Sequence, residues 1–260
     1  MRTTPDRRPL SGVALREANR RFYDTLWSDA RLVAPERFNS WPLVADLAAR
    51  ATRRLEIAPG LRPRLPIAGT SFVDLSLPPL RHLRAAGGHV ACGLVTDLPM
   101  ATGAFDLICA LDIVEHVDDD AAAFAELSRV AAPGAALLLS VPLHPEAWTP
   151  FDDMVGHHRR YEPVRLLQQL AGARLEVRQS AIFGMQPRNP RLVGFGMRYL
   201  ERHRSRAMWW YNRIFMPLGL CLAKPLHLVD GLVELPGVDT VLLVCRRMDR
   251  DGESAPAIST

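Results

Sequence analysis

Four short apolar runs in the first half of this chain each stop at a glycine or an acid, and that order leaves few architectures open. Arg54–Ala58 runs into Pro59-Gly60, and Ser71–Leu75 closes on Asp74. His89–Val95 leads to Thr96-Asp97-Leu98-Pro99, and Phe105–Leu111 to Asp112-Ile113-Val114-Glu115-His116. Each run has the length and β-branched or apolar content of a buried strand. Helical patterns alternate with them. Pro78–Ala86 puts Leu80, Leu83 and Ala86 on one face before Gly87-Gly88, and a helix after Asp118-Asp119-Asp120 carries Phe124, Leu127 and Ala131. Pro133-Gly134 breaks that helix, and Ala135–Val141 is a continuous apolar run suited to a strand buried on both faces. A helix at Pro163–Ala171, a strand at Arg174–Ser180 and a last strand at Val238–Arg246 complete the series. Strands alternating with helices at this spacing predict an α/β, doubly wound, mainly parallel sheet.

In such a sheet ligands sit at the carboxyl ends of the strands, near the point where strand order reverses. The stretch Arg53–Ser76 therefore reads as a nucleotide-cofactor site. Gly60 lacks a Cβ and lets a cofactor approach the backbone. The Asp74 carboxylate suits a pair of ribose hydroxyls, and Asp97 suits an exocyclic adenine amine. Each of these residues is also an ordinary turn residue, so the argument lies in their order rather than in any one of them.

Composition narrows the rest. Hydrophobic residues make up 48% and charged residues 23%, an ordinary globular balance. The net charge is +4, but Arg188–Asp230 alone carries eight basic residues against Glu201 and Asp230. The basicity therefore belongs to one segment and does not point to nucleic acid. Lys224 is the only lysine among 32 basic residues, which fits a composition bias rather than chosen phosphate forks. Cys92, Cys109, Cys221 and Cys245 are single and widely spaced, as expected of buried thiols in a reducing cytoplasm. The basic start, MRTTPDRRPL, is not followed by the apolar stretch of a signal peptide.

From about Leu55 to Tyr161 the chain resembles the class I S-adenosylmethionine-dependent methyltransferases of the type 11 group. The resemblance is carried by LEIAPG, by FVDLS, by VTDLPMATGAFDLICALDIVEHVDDDAAAFAELSRVAAPGAALLLSVP and by HPEAWTPFDDMVGHHRRY. It implies a Rossmann-like sheet of seven strands with the last one antiparallel, and S-adenosyl-L-methionine as cofactor. It further implies Glu56, Ala58 and Gly60 on the methionine side, Asp74 on the ribose, and Asp97 with Leu98 at the adenine. Leu111 and His116 would lie beside the sulfonium. One departure stands out: LEIAPGLRPRLP keeps only Gly60 where relatives have two or three glycines, and Pro63 and Pro66 leave little room for a first helix. The same loop lacks the G-x-G-x-x-G pattern that seats a dinucleotide pyrophosphate.

The chemistry of methyl transfer asks the protein mainly to align a nucleophile and, where needed, to take its proton. Candidates follow the fifth strand: His144, Trp148, Asp152, Asp153, His157, His158, Arg159, Arg160 and Tyr161. His157 or His144 suits a general base, while Arg160 and Tyr161 suit orientation of an acidic or phenolic acceptor. The competing reading is structural, with Asp153 and Arg160 as an ion pair fixing the loop. No metal is expected, since the spacing of these histidines and acids fits no standard short zinc motif. The family's enzymes for amino groups of bases or glutamine amides carry an Asn/Asp-Pro-Pro-aromatic motif, and LDIVEH stands in its place. Oxygen or carbon methylation of a small, lipophilic or anionic acceptor is the leading expectation. The alternative is a non-catalytic cofactor-binding or scaffold protein.

The expected organisation has a helical lid over 1–52, from helices at Ser11–Trp27 and Trp41–Arg53, and a cofactor domain over 53–184 and 237–248. A basic, aromatic helical cap follows over 185–236, and 249–260 forms a disordered tail. The run AMWWYNRIFMPLGLCLA joins Trp209, Trp210, Tyr211 and Phe215 to flanking arginines. A cap packed on the domain is its first reading; peripheral contact of a cytoplasmic protein with an anionic membrane through 188–230 is the second.

Overall fold

A computed structural model describes Trp27 and residues 30–184, 196, 199, 202–233 and 238–249. Most of the expected helix Ser11–Trp27 and all but one residue of the expected tail lie outside the described residues.

The parallel part of the sheet contains β1 (Arg54–Ile57), β2 (Thr70–Asp74), β3 (His89–Cys92), β4 (Phe105–Leu111) and β5 (Ala131–Pro142). β6 (Leu175–Phe183), the two-residue β7 (Val229–Asp230) and β8 (Thr240–Arg247) complete it. Spatial order is β3-β2-β1-β4-β5-β8-β6-β7, with β8 antiparallel to both β5 and β6. Among the described residues the sheet thus has eight strands instead of seven. The addition is a short edge strand in the basic segment, too brief to show in a pattern of apolar residues. β5 also starts earlier than expected. Pro133-Gly134 does not delay it: the ladder with β4 shifts register between Phe105, paired with Ala131, and Leu107, paired with Ala136, and the irregularity absorbs both residues.

Alternation along β4 assigns the two faces. Ile108 and Ala110 join the larger core with Leu137, Leu139, Val241 and Leu243. That face is covered by α3 (Asp120–Val130) and α5 (Pro163–Gly172), through Phe124, Leu127, Leu166 and Leu170. Asp119 caps α3 by accepting from Ala122 N, and Glu162 caps α5 by accepting from Val164 N and Arg165 N. Leu107 and Cys109 point the other way, with Leu138 and Val244. Against them pack Val44 and Ala48 of α1 (Trp41–Ala49) and Leu65 from the loop after β1. Near the β3 edge, α2 (Leu77–Ala85) closes over Phe72 with Leu80 and Leu83. α1 is therefore a sheet cover, not part of a lid.

No helix joins β1 to β2. The connection is a loop whose Leu61 and Leu65 are buried in the protein, so apolar plugs do the work of a helix face. Pro59, Pro63 and Pro66 remove three backbone donors from that loop and lower the entropy it loses on ordering.

In the basic segment, α6 (Arg204–Trp210), a π-turn at Tyr211–Phe215 and α7 (Met216–Leu222) form one continuous helical stretch. Leu65→Ala should lower unfolding stability by about 2–5 kcal/mol, read by urea titration, because a fully buried leucine leaves a cavity under α1. A loss within 0.5 kcal/mol would mean the loop is not anchored there.

Candidate functional site at the carboxyl edge of the sheet

Four described non-glycine residues have positive φ: Ala58, Asp112, His144 and Arg174. Three of them lie just past the carboxyl ends of β1, β4 and β5. Each is a local cost that a sheet needs only if the chain must turn sharply there, and such costs gather at ligand sites.

At the end of β1 the chain rises through Ala58 to Gly60, whose φ is +55°. A Cβ on Gly60 would fall 2.0 Å from the Trp27 ring, so the indole lies directly on the bare backbone. The Arg62 guanidinium stacks 5.2 Å from the Trp27 ring and 5.0 Å from the Tyr211 ring, and it donates to Asn212 Oδ1 at 2.9 Å. The cofactor loop is thereby tied both to the N-terminal segment and to the π-turn. Neither tie is readable from spacing, since Arg62 and Asn212 are 150 residues apart.

Asp74 closes β2. Its Oδ2 accepts from Gly60 N at 3.1 Å and its Oδ1 from Ser76 N at 2.8 Å. These two bonds fix the plane of the carboxylate. Asp74 and Gly60, joined by a direct bond, fit the ribose and methionine sides of S-adenosylmethionine. The space above Gly60 is at present filled by Trp27.

Glu56 does something the sequence reading did not assign. It is buried, and its carboxylate accepts from Arg64 N at 2.8 Å and from Leu65 N at 2.9 Å. It holds the loop that replaces the first helix. Burial raises its pKa to about 7, against the opposing pull of those two backbone bonds and the Arg64 charge. Asp97 is exposed in a turn bridged to Leu94. Leu98, in contrast, belongs to the core, and its N–H donates to Glu126 Oε2. Leu111 is half-buried on the α1 face.

Past β4, Asp112 N donates to Ser140 Oγ, which donates in turn to Asp112 Oδ1 at 2.7 Å. A single 3₁₀ turn, Val114–His116, then buries Glu115 and His116. The His116 ring meets that of His157 edge-on, with centroids 4.7 Å apart. Burial drives the His116 pKa down to about 3, helped by His157, so its imidazole is neutral at physiological pH. Glu115 is pushed well above the carboxylate range by burial and by the charges of Asp112 and Asp152.

The loop after β5 is organised by Asp152, not by Asp153. Asp152 is buried in α4 (Pro150–Val155) and closes a capping box with Thr149. Arg160 reaches it with two donors, Nε to Oδ1 at 2.9 Å and Nη2 to Oδ2 at 3.0 Å. His157 Nδ1 lies 2.8 Å from Oδ1. Although burial alone would raise Asp152, these hydrogen bonds outweigh it and hold the acid far below its usual value. Arg160 Nη1 also meets Asp239 Oδ1 at 2.6 Å, from the far end of the chain. The guanidinium is thus committed to the scaffold and does not reach out to an acceptor.

Tyr161 is likewise a core residue, packed edge-on to Phe124, and burial raises its phenol far out of reach of titration. Asp153 is exposed and accepts from Trp148 Nε1. His144 sits half-buried with Nδ1 3.4 Å from Glu146. Of the five residues expected to act in catalysis, only His157 joins the buried cluster next to His116.

Residues 64–139 match the family model described as a methyltransferase domain. The fold is shared with a S-adenosylmethionine-dependent methyltransferase of Thermotoga maritima, at 14% identity and a TM-score of 0.57, over 90% of this chain and 99% of that one. It is also shared with the [4+2]-cyclase SpnF, at 14% identity and a TM-score of 0.52, over 95% and 99% of the two chains. A third likeness is to phosphoethanolamine N-methyltransferase 2 of Haemonchus contortus, solved with S-adenosylhomocysteine, at 13% identity and a TM-score of 0.51. That match covers 94% of this chain and 60% of the other.

Glu56 gives this edge a pH signature. A carboxyl that holds its proton in the folded state up to about pH 7, but releases it near 4.5 when unfolded, stabilises the fold less as pH rises through that window. Stability should fall by up to about 3 kcal/mol between pH 4.5 and 7.5 from this group alone. Glu56→Gln should flatten that slope in denaturant titrations at several pH values; an unchanged slope would show that Glu56 is ionised throughout.

Proposed function

We propose that the chain carries a class I S-adenosylmethionine-dependent methyltransferase domain and that it methylates an oxygen or carbon of a small, lipophilic or anionic acceptor. The observation that carries this reading is the meeting, on one sheet edge, of the Asp74–Gly60 pair with the buried His116–His157 cluster. S-adenosylmethionine, when bound, supplies a methyl group on a sulfonium that is already an activated leaving group. The chain's own part is placement. The Asp74 carboxylate, held by Gly60 N and Ser76 N, is of the type that accepts from ribose hydroxyls, and Gly60 carries no side chain of its own, so displacement of the Trp27 ring would bring a cofactor onto its backbone. His116 and His157 wall the end beyond β4, where their burial keeps water from a reacting group.

The acceptor's character is inferred from the neighbouring segment. Trp209, Trp210, Ile214, Phe215, Leu218 and Leu222 are all exposed along the helical stretch 204–222. Spacing of three to five residues sets much of this set along one side, and Arg206, Arg213 and Lys224 accompany it. An apolar side edged with cations favours a greasy acceptor with a negative group, and it favours contact with an anionic lipid surface. Among the described residues no helix is long and apolar enough to cross a membrane.

Calorimetry with S-adenosylmethionine and its demethylated product tests the first part. Wild type should bind both, and Asp74→Ala should weaken binding by about 10- to 100-fold, the worth of hydrogen bonds to a charged group. No affinity in the wild type would sink the reading. Binding without methylation in a broad metabolite screen would favour a cofactor-binding or scaffold role, which the Trp27 ring over Gly60 also suits. For the surface, flotation with phosphatidylserine vesicles should show binding at low salt that fades at high salt, and no flotation at low salt would remove the lipid contact.

A further inference from the structure

Glu115, His116 and His157 present three ligand atoms, one from each side chain, all within 4.8 Å of one another. The glutamate and His116 come from the turn after β4, and His157 comes from the loop after α4. The separation of 41 positions hides the set from any short-motif reading.

Several features exceed what packing requires. Glu115 is 1% exposed, and its Oε2 is buried without a hydrogen-bond partner. Its Oε1 lies 3.9 Å from His157 Nε2, too far for a hydrogen bond. A buried carboxylate left in this state costs several kcal/mol in order of magnitude unless a proton or a cation completes it. The imidazoles are set up for the second option. His157 turns Nδ1 to Asp152, which fixes its tautomer and directs the Nε2 lone pair at Glu115. That carboxylate–histidine arrangement is the outer support that metal-binding histidines commonly have. The groups around the trio are Asp112, Asp152, His158 and Arg160. Two of them, Asp112 and Asp152, act on Glu115 as negative charges, and Arg160 is already matched by Asp152 and Asp239.

We propose that Glu115, His116 and His157 form a three-ligand site for a divalent first-row transition-metal ion at the carboxyl end of β4. Two imidazole nitrogens and one carboxylate select Mn²⁺ through Zn²⁺ over Mg²⁺ or Ca²⁺, which prefer oxygen sets. Bond lengths near 2.0–2.2 Å require the three side chains to draw inward by rotamer adjustment. Three protein ligands leave coordination positions open, and those positions would take oxygen atoms of an acceptor. This last consequence rests on the methyl-transfer reading; the metal site does not.

The experiment uses the full-length chain with no cofactor or acceptor, so its outcome is independent of whether the protein methylates anything. Metal-free protein is titrated with Co²⁺, following visible absorption, and with Zn²⁺ in competition. One Co²⁺ per chain should bind, with bands that Zn²⁺ abolishes. Glu115→Gln and His157→Gln should each weaken binding by at least about 10-fold, since even the loss of an outer support costs that much. His89→Ala, which removes an exposed histidine on β3, should leave binding as it is. Near-UV circular dichroism of each variant separates lost binding from lost folding. The proposal is overturned if no Co²⁺ binds to the wild type. It is equally overturned if both folded variants bind as the wild type does, or if His89→Ala alone removes the signal.

Discussion

A carboxylate with no solvent exposure, that of Asp152, has three separate parts of the chain resting on it. It starts α4 through Thr149, receives the fork of Arg160, and sets the ring of His157. Burying a charge is unfavourable unless its acceptor positions are filled, and here they are filled from three directions. Arg160 then carries the connection to Asp239, at the start of β8. The antiparallel strand, the loop after β5 and the histidine cluster are in this way one polar unit. Removing either partner would strand the other in the interior, which is the costly case for buried pairs. The position of His157, and with it everything inferred about the cluster, depends on this network more than on local loop geometry.

A second buried acid solves a different problem. The chain between β1 and β2 has no helix to present a packed face, and a bare loop there would leave backbone N–H groups buried without partners. Glu56 takes two of them, and the prolines supply none. α1, drawn from before β1, then covers the sheet face with Val44 and Ala48. A loop with one glycine is in this sense a coherent alternative to the glycine-rich kind. Its cost is rigidity at Gly60, because Asp74, Arg62 and Trp27 all bear on the same few residues.

Much of this fold could be read from residue order. Strand positions after Arg54, Phe105 and Arg174 show plainly as apolar runs, and the loss of the first helix is announced by Pro63 and Pro66. β7 was invisible because two residues carry no periodicity. α1 was misplaced because an amphipathic helix does not say which surface it covers. The site was legible only in part. Gly60, Asp74 and Asp97 stand at or just past strand ends, as residue order predicts. The ion pair of the competing reading joins Arg160 to Asp152 instead of Asp153, a difference of one residue that only helix phase decides: in α4 the first is buried and the second is exposed. Arg160 and Tyr161 look like active-site types, yet burial commits them to the scaffold. Asp239 gave no signal at all, lying 79 residues from the arginine it meets.

Glu56 and Glu115 then make an instructive pair. Both are glutamates at the carboxyl edge, both are almost wholly buried, and burial raises the pKa of both. Around Glu56 the chain provides backbone donors for each oxygen, so the acid is complete as folded. Around Glu115 it provides negative neighbours, two imidazoles and one oxygen without a partner. A residue kept only for packing would be better replaced by leucine or methionine, which fill the same space without a desolvation cost. The asymmetry therefore separates an acid that serves the fold from one whose surroundings are arranged for something the polypeptide does not itself supply.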